Sequence, residues 1–98
     1  MEIDIKEGDL IIAGSDGLFD NVYLNTIENL VNKQIKKTPY KKPHLKKIAD
    51  RLAQEAYHNS LNVNFHSPFA KEAKENNQLF EGGKSDDITV LVAEITAN

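Results

Sequence analysis

No cysteine occurs among the 98 residues. Disulfides and thiolate zinc sites are therefore excluded, and any bound metal must be held by carboxylates, carbonyls or imidazole. Long apolar runs are also lacking, and none approaches the ~20 residues that span a bilayer. The first residues, Met1-Glu2-Ile3-Asp4-Ile5, carry neither the basic segment nor the apolar core of a signal peptide, and they are acidic where a mitochondrial transit peptide is basic. The expectation is an intracellular protein, with cytoplasm and mitochondrion not distinguished. A formal charge of −3 speaks against nucleic acid as the main partner. Arginine occurs once, at Arg51, and there are no internal repeats.

What is present is ordinary for one soluble globular unit: 40% hydrophobic and 28% charged residues. A chain of this length forms one domain or part of one, burying roughly 60–70% of its unfolded surface. Acids are absent from one stretch. Seven of the twelve basic residues (Lys33, Lys36, Lys37, Lys41, Lys42, Lys46 and Lys47) lie in 33–47 without an acid among them. The remainder sets fifteen acids against five bases. The basic segment reads either as a docking surface for an anionic partner or as a solvated linker punctuated by Pro39 and Pro43.

Apolar spacing outlines the elements. Glu2-Ile3-Asp4-Ile5 alternates as a short strand, Lys6-Glu7-Gly8 reads as a turn, and Leu10–Ala13 is a continuous apolar run expected of a strand covered on both faces. Residues 1–14 are thus predicted to form a hairpin. A helix follows, capped by Asn21 or Asn25, with Ile27, Leu30, Val31 and Ile35 on one face. The next, over about 44–59, aligns Leu45, Ile48, Ala49, Leu52, Ala53 and Ala56 as a core-packing stripe. Ser67-Pro68 has the form of an N-cap with proline at the first helical position, and Asn76-Asn77 ends that short helix. Glu81-Gly82-Gly83-Lys84 reads as a flexible connector before a last strand, Ile88–Ile95. Phe19 is expected to bury against the first helix; Tyr57 and Phe69 read as core or rim packing. His44, His58 and His66 have no metal-binding spacing and read as solvated or satisfied side chains.

Two stretches carry the chemistry. The strand at Leu10–Ala13 empties into Gly14-Ser15-Asp16-Gly17-Leu18-Phe19-Asp20, and Asp86-Asp87 precede Ile88-Thr89-Val90. If the two strands pair antiparallel, Asp16 and Asp86 emerge at the same sheet end, where oxygen-only ligands suit Mg²⁺ or Mn²⁺. Both dipeptides also suit ordinary solvated turns.

Ser15-Asp16-Gly17-Leu18-Phe19-Asp20 resembles the Ser-Asp-Gly-aromatic-Asp motif of the metal-dependent type 2C (PPM) protein phosphatases. Asp86-Asp87-Ile88-Thr89-Val90 resembles that family's last motif, and Ser67-Pro68-Phe69-Ala70 with Gly82-Gly83-Lys84 is similar to its compact mitochondrial and SpoIIE-like subgroup. The resemblance implies that Asp16 and Asp86 are ligands of a binuclear Mg²⁺ or Mn²⁺ centre, with Asp20 associated with an additional, weaker metal. Ser15, Gly17 and Asp87 would orient the loops. No side chain beyond the metal ligands would be catalytic. A metal-activated water would hydrolyse phosphoserine or phosphothreonine in a protein substrate. The implied fold is an α+β, α-β-β-α sandwich, of which residues 1–98 supply the C-terminal part: an antiparallel sheet with helices packed on one face.

The family's Asp-Gly-His-Gly segment, its first acidic strand and its phosphate-gripping arginine have no counterpart here, and Arg51 falls outside the apolar series of its helix. A partner is therefore expected in the N-terminal half of the domain, with little or no activity for these residues alone. The alternative is a catalytically inactive module of the same fold that docks through 33–47.

Overall fold

The computed structural model describes residues 6–36 and 44–96. Six elements run in the order β1 (Leu10–Gly14), α1 (Asp16–Phe19), α2 (Leu24–Lys36), α3 (Leu45–Leu61), α4 (Pro68–Glu75) and β2 (Val90–Glu94). The expected strand at 2–5 lies outside the described residues, and with it part of the hairpin over 1–14; positions 37–43 of the basic segment 33–47 lie outside them too.

The first and last elements pair antiparallel, with Leu10 opposite Glu94 and Gly14 opposite Val90. Hydrogen bonds extend the ladder at both ends, from the Gly8 N–H to the Ile95 carbonyl (2.8 Å) and from the Ser15 N–H to the Thr89 carbonyl (3.0 Å). Alternation along the two strands turns Leu10, Ile12, Val90 and Val92 toward the helices and leaves Ile11, Ala13, Leu91 and Ala93 outward. Burial of Leu10–Ala13 on both faces is thus corrected. Helices cover one face only, and Ile11 and Leu91 stay 45% and 65% exposed.

The core lies between the sheet and α2–α3. Leu18, Val22, Ile27, Val31, Ile48, Leu52 and Ala56 form one buried cluster, with Leu10, Ile12, Leu30, Ile88, Val90 and Val92 packed against it. The apolar stripe of α3 buries Ile48, Leu52 and Ala56 as its spacing requires. Ile35 sits in the last turn of α2 and remains 39% exposed, past the end of that cluster.

Several local expectations change. The run after β1 closes into a single helical turn, α1, in which Leu18 is fully buried while Phe19 is 36% exposed. Neither Asn21 nor Asn25 precedes α2 as a cap, since the helix starts at Leu24. His44 caps α3, its Nδ1 accepting from the Lys47 N–H at 3.3 Å. Ser67 caps α4 as expected, accepting from the Ala70 N–H at 3.0 Å with Pro68 at the first helical position. Asn76 closes that helix, and Asn77 follows at φ 59°. Tyr57, 56% exposed, is not in the core. Arg51 pairs with Glu55 one turn along α3 at 2.9 Å.

Candidate metal centre

The antiparallel register brings the two acidic stretches together. With Gly14 opposite Val90, the chain leaves β1 into Ser15-Asp16 just where it enters β2 from Asp86-Asp87. Ser15 ties the two. Its Oγ donates to the Asp87 carbonyl (2.8 Å) and accepts from the Thr89 N–H (3.0 Å). Gly17 packs so closely on the Asp87 carbonyl that a Cβ there would collide with it. Ser15 and Gly17 therefore hold the two loops in contact. Asp87 contributes through its backbone, its N–H donating to Asp86 Oδ1 at 2.8 Å.

Asp20 stands one helical turn after Asp16, its N–H donating to the Asp16 carbonyl at 2.7 Å. Its carboxyl is pushed above the ordinary range, first by partial burial, then by the negative charge of Asp16. Asp86 and Glu72 add to the effect, and Lys84 opposes it. Asp16 and Asp86 thus both place negative charge on Asp20, from elements at the two ends of the chain, and Lys84 offsets it in part. Asp16 and Asp86 are exposed to solvent.

A second set of contacts positions this loop pair. Asn21 is fully buried. Its Nδ2 donates to the carbonyls of Gly17 and Lys84 (both 2.8 Å), its Oδ1 accepts from the Lys84 N–H (2.8 Å), and its own carbonyl accepts from Asn59 Nδ2 (2.9 Å). Ser67 Oγ, also buried, donates to the Gly82 carbonyl at 2.7 Å. Gly83 lies against the Asn59 backbone with no room for a Cβ. Within the stretch 81–84 read as a flexible connector, Gly82, Gly83 and Lys84 are instead clamped by α3, by the start of α4 and by Asn21. Helical spacing gave no sign of this, because a buried asparagine that bonds backbone looks in sequence like a cap. Among the described residues no buried side-chain polar atom lacks a hydrogen-bond partner.

The donor chemistry fits a hard divalent cation: oxygen only, carboxylate-rich and electrostatically unbalanced. It does not complete a coordination shell, since among the described residues no three His, Asp or Glu side chains are grouped closely enough to hold an ion. Surface clefts lie elsewhere. Two, of about 300 and 290 Å³, adjoin at His66, Phe80 and Glu81, and neither is lined by Asp16, Asp20 or Asp86. His58 and His66 are exposed, and neither joins the acidic cluster; the His66 carbonyl accepts from Tyr23 Oη at 2.8 Å.

Fold and site together define an α+β protein with two acidic loops side by side at one end of an antiparallel sheet. The chain belongs to the type 2C (PPM) protein phosphatase family. It is 36% identical over 96 residues to the probable protein phosphatase 2C 80 of Arabidopsis thaliana, covering 98% of this chain and 22% of that one. Over 95 residues it is 38% identical to the protein phosphatase PTC7 homolog fig of Drosophila grimshawi, covering 96% of this chain and 30% of that one. Its fold matches the X-ray structure of the photosystem II phosphatase PBCP with a TM-score of 0.81 at 32% identity, over 98% of this chain and 39% of that chain. No protein-family model matches. The chain spans about a fifth to a third of the length of these curated relatives.

Among the described residues no helix is long and apolar enough to cross a membrane.

Proposed function

We propose that the chain is the metal-binding C-terminal part of a Mg²⁺- or Mn²⁺-dependent protein serine/threonine phosphatase, and that Asp16, Asp20 and Asp86 supply carboxylates to its centre. The observation that supports this reading is the register of β1 and β2, which sets Ser15-Asp16 beside Asp86-Asp87 with Asp20 subject to the charge of both acids. Bound there, a divalent cation would supply Lewis-acid chemistry, lowering the pKa of water and drawing charge from phosphate oxygens. The chain's own residues do the positioning. Ser15 and Gly17 lock the two acidic loops, and Asn21 anchors residues 17 and 84.

Further ligands would come from the rest of the domain, and the substrate class is a phosphoserine- or phosphothreonine-bearing protein. Calorimetric titration with Mn²⁺ tests the reading. Weak binding to the chain is expected, lost in Asp16→Asn and in Asp86→Asn. Binding that survives both substitutions would overturn it. The chain alone should hydrolyse p-nitrophenyl phosphate little or not at all in the presence of Mn²⁺.

A further inference from the structure

We infer that Lys84 is a phosphate-contacting residue of this site, its ammonium held ready beside the acidic cluster to bind the phosphoryl oxygens of the substrate. The assignment rests on the metal-site reading above and names the group that would meet the substrate's charge.

Lys84 is placed with unusual firmness for a loop lysine. Its backbone N–H and carbonyl are both taken by the buried amide of Asn21, at 2.8 Å each. The preceding Gly83 is pressed on the Asn59 backbone without space for a side chain. Four bonds of flexible side chain remain beyond this anchor, and they too are directed. The ammonium lies 4.9 Å from the centroid of the Phe69 ring, within range of a cation–π attraction. Phe69 is held in turn by an edge-on contact with Phe80 (4.8 Å between centroids) and by its N–H, which donates to the Asp20 carbonyl at 3.1 Å.

So positioned, Lys84 Nζ stands 3.8 Å from Asp86 Oδ2, inside ion-pair range but beyond a hydrogen bond. It makes no hydrogen bond to any described residue, and its side chain is 32% exposed. An ammonium with three donors and a loose carboxylate neighbour is poorly satisfied for a purely structural role. Lys46 shows the contrast, bonded to Asp50 at 2.8 Å on the exposed face of α3.

With the carboxylates engaged by a cation, the attraction of Asp86 for Lys84 falls. The ammonium's donors are then available to an anion arriving at the same edge. Phosphate is the anion that suits it, since a lysine contacts phosphate oxygens through short charge-assisted hydrogen bonds. The single arginine of the chain is paired with Glu55 on α3 and does not compete for this role.

The test is a pair of titrations on the chain itself, comparing wild type with Lys84→Met and Lys84→Arg. The first follows Mn²⁺ binding by calorimetry. The second follows inorganic phosphate binding to the Mn²⁺-loaded protein by ³¹P relaxation. Lys84→Met should bind Mn²⁺ as well as wild type or more tightly, because a competing cation is gone. Its phosphate affinity should fall by about tenfold or more, as expected for loss of a charge-assisted hydrogen bond, and Lys84→Arg should recover most of that loss. Unchanged phosphate binding in Lys84→Met, or no phosphate binding to loaded wild type, overturns the assignment while the metal reading stands. A parallel loss of Mn²⁺ and phosphate with a lowered melting temperature in both variants would mean that Lys84 is only structural. Failure of wild type to bind Mn²⁺ removes the metal reading and this inference with it.

Discussion

The side-chain amide of Asn21 binds both backbone polar groups of Lys84, 63 positions further along the chain, at 2.8 Å each. The same amide holds the Gly17 carbonyl. One buried residue thus joins the loop that carries Asp16 and Asp20 to the loop that carries Asp86.

Removing that amide should be costly. Asn21→Ala would strand the Lys84 N–H and at least one carbonyl in a buried place, and each orphan costs about 1–3 kcal/mol. A loss of about 2–4 kcal/mol is expected in urea denaturation, together with weaker Mn²⁺ binding under conditions where the variant is still folded. A variant as stable as wild type would show that water replaces the amide without penalty.

Gly17 tests the closeness of the two loops. A methyl group there meets the Asp87 carbonyl carbon at 2.9 Å and Ile88 Cγ1 at 3.0 Å. Both neighbours belong to the segment entering β2, so the loops must separate. Gly17→Ala should lower Mn²⁺ affinity and shift the amide resonances of Asp87 and Thr89. Resonances that stay in place would mean that the loop accommodates the methyl group.

Asp20 should act with opposite signs on stability and on binding. Its carboxyl holds a proton more tightly in the folded chain than the ordinary value of 3.8. The folded state therefore takes up more protons than the unfolded one above that value, and this group's contribution to stability falls as pH rises through the window. Asp20→Asn should flatten that part of the pH–stability curve without metal and should not destabilise the metal-free fold. The same substitution should weaken Mn²⁺ binding. If it destabilised the metal-free chain at neutral pH, the burial and like-charge repulsion of the Asp20 carboxylate would not be the governing effect.

The outward face of the sheet gives a complementary prediction. Ile11 and Leu91 lie on the side away from the helices. Replacing both with lysine should change thermal stability little, since exposed substitutions commonly stay within about 0.5 kcal/mol. It should also reduce concentration-dependent association in sedimentation velocity, because apolar sheet surface is removed. A large drop in melting temperature would place these side chains in a packed environment. Leu18→Ala is the contrasting substitution, with an expected loss of about 2–5 kcal/mol at a fully buried core position.

Helix α3 and the capped start of α4 were legible in the sequence, because an apolar stripe and a Ser-Pro cap act through neighbours three or four residues apart. The pairing of β1 with β2 was legible as a condition: two apolar runs, each with acids at one end, bring those acids together only if antiparallel. The fate of Asn21 was not legible, nor was the clamping of residues 82–84. Their partners lie tens of positions away, and a polar side chain carries no local mark of being buried. Phe19 stayed 36% exposed, with Leu18 buried in its place, for a related reason. Which of two adjacent apolar residues turns inward depends on α1, a single helical turn that no periodicity announces.

By itself, then, the amino-acid order determined the helical faces, the two acidic motifs and an oxygen-only donor chemistry. Local spacing and residue type suffice for those. Only the tertiary structure decided that one face of the sheet is left open, that Asn21 joins the two acidic loops, and that the Lys84 ammonium stands beside Asp86 over the Phe69 ring. These are meetings of distant segments, and packing and backbone hydrogen bonding select them only once the chain has folded.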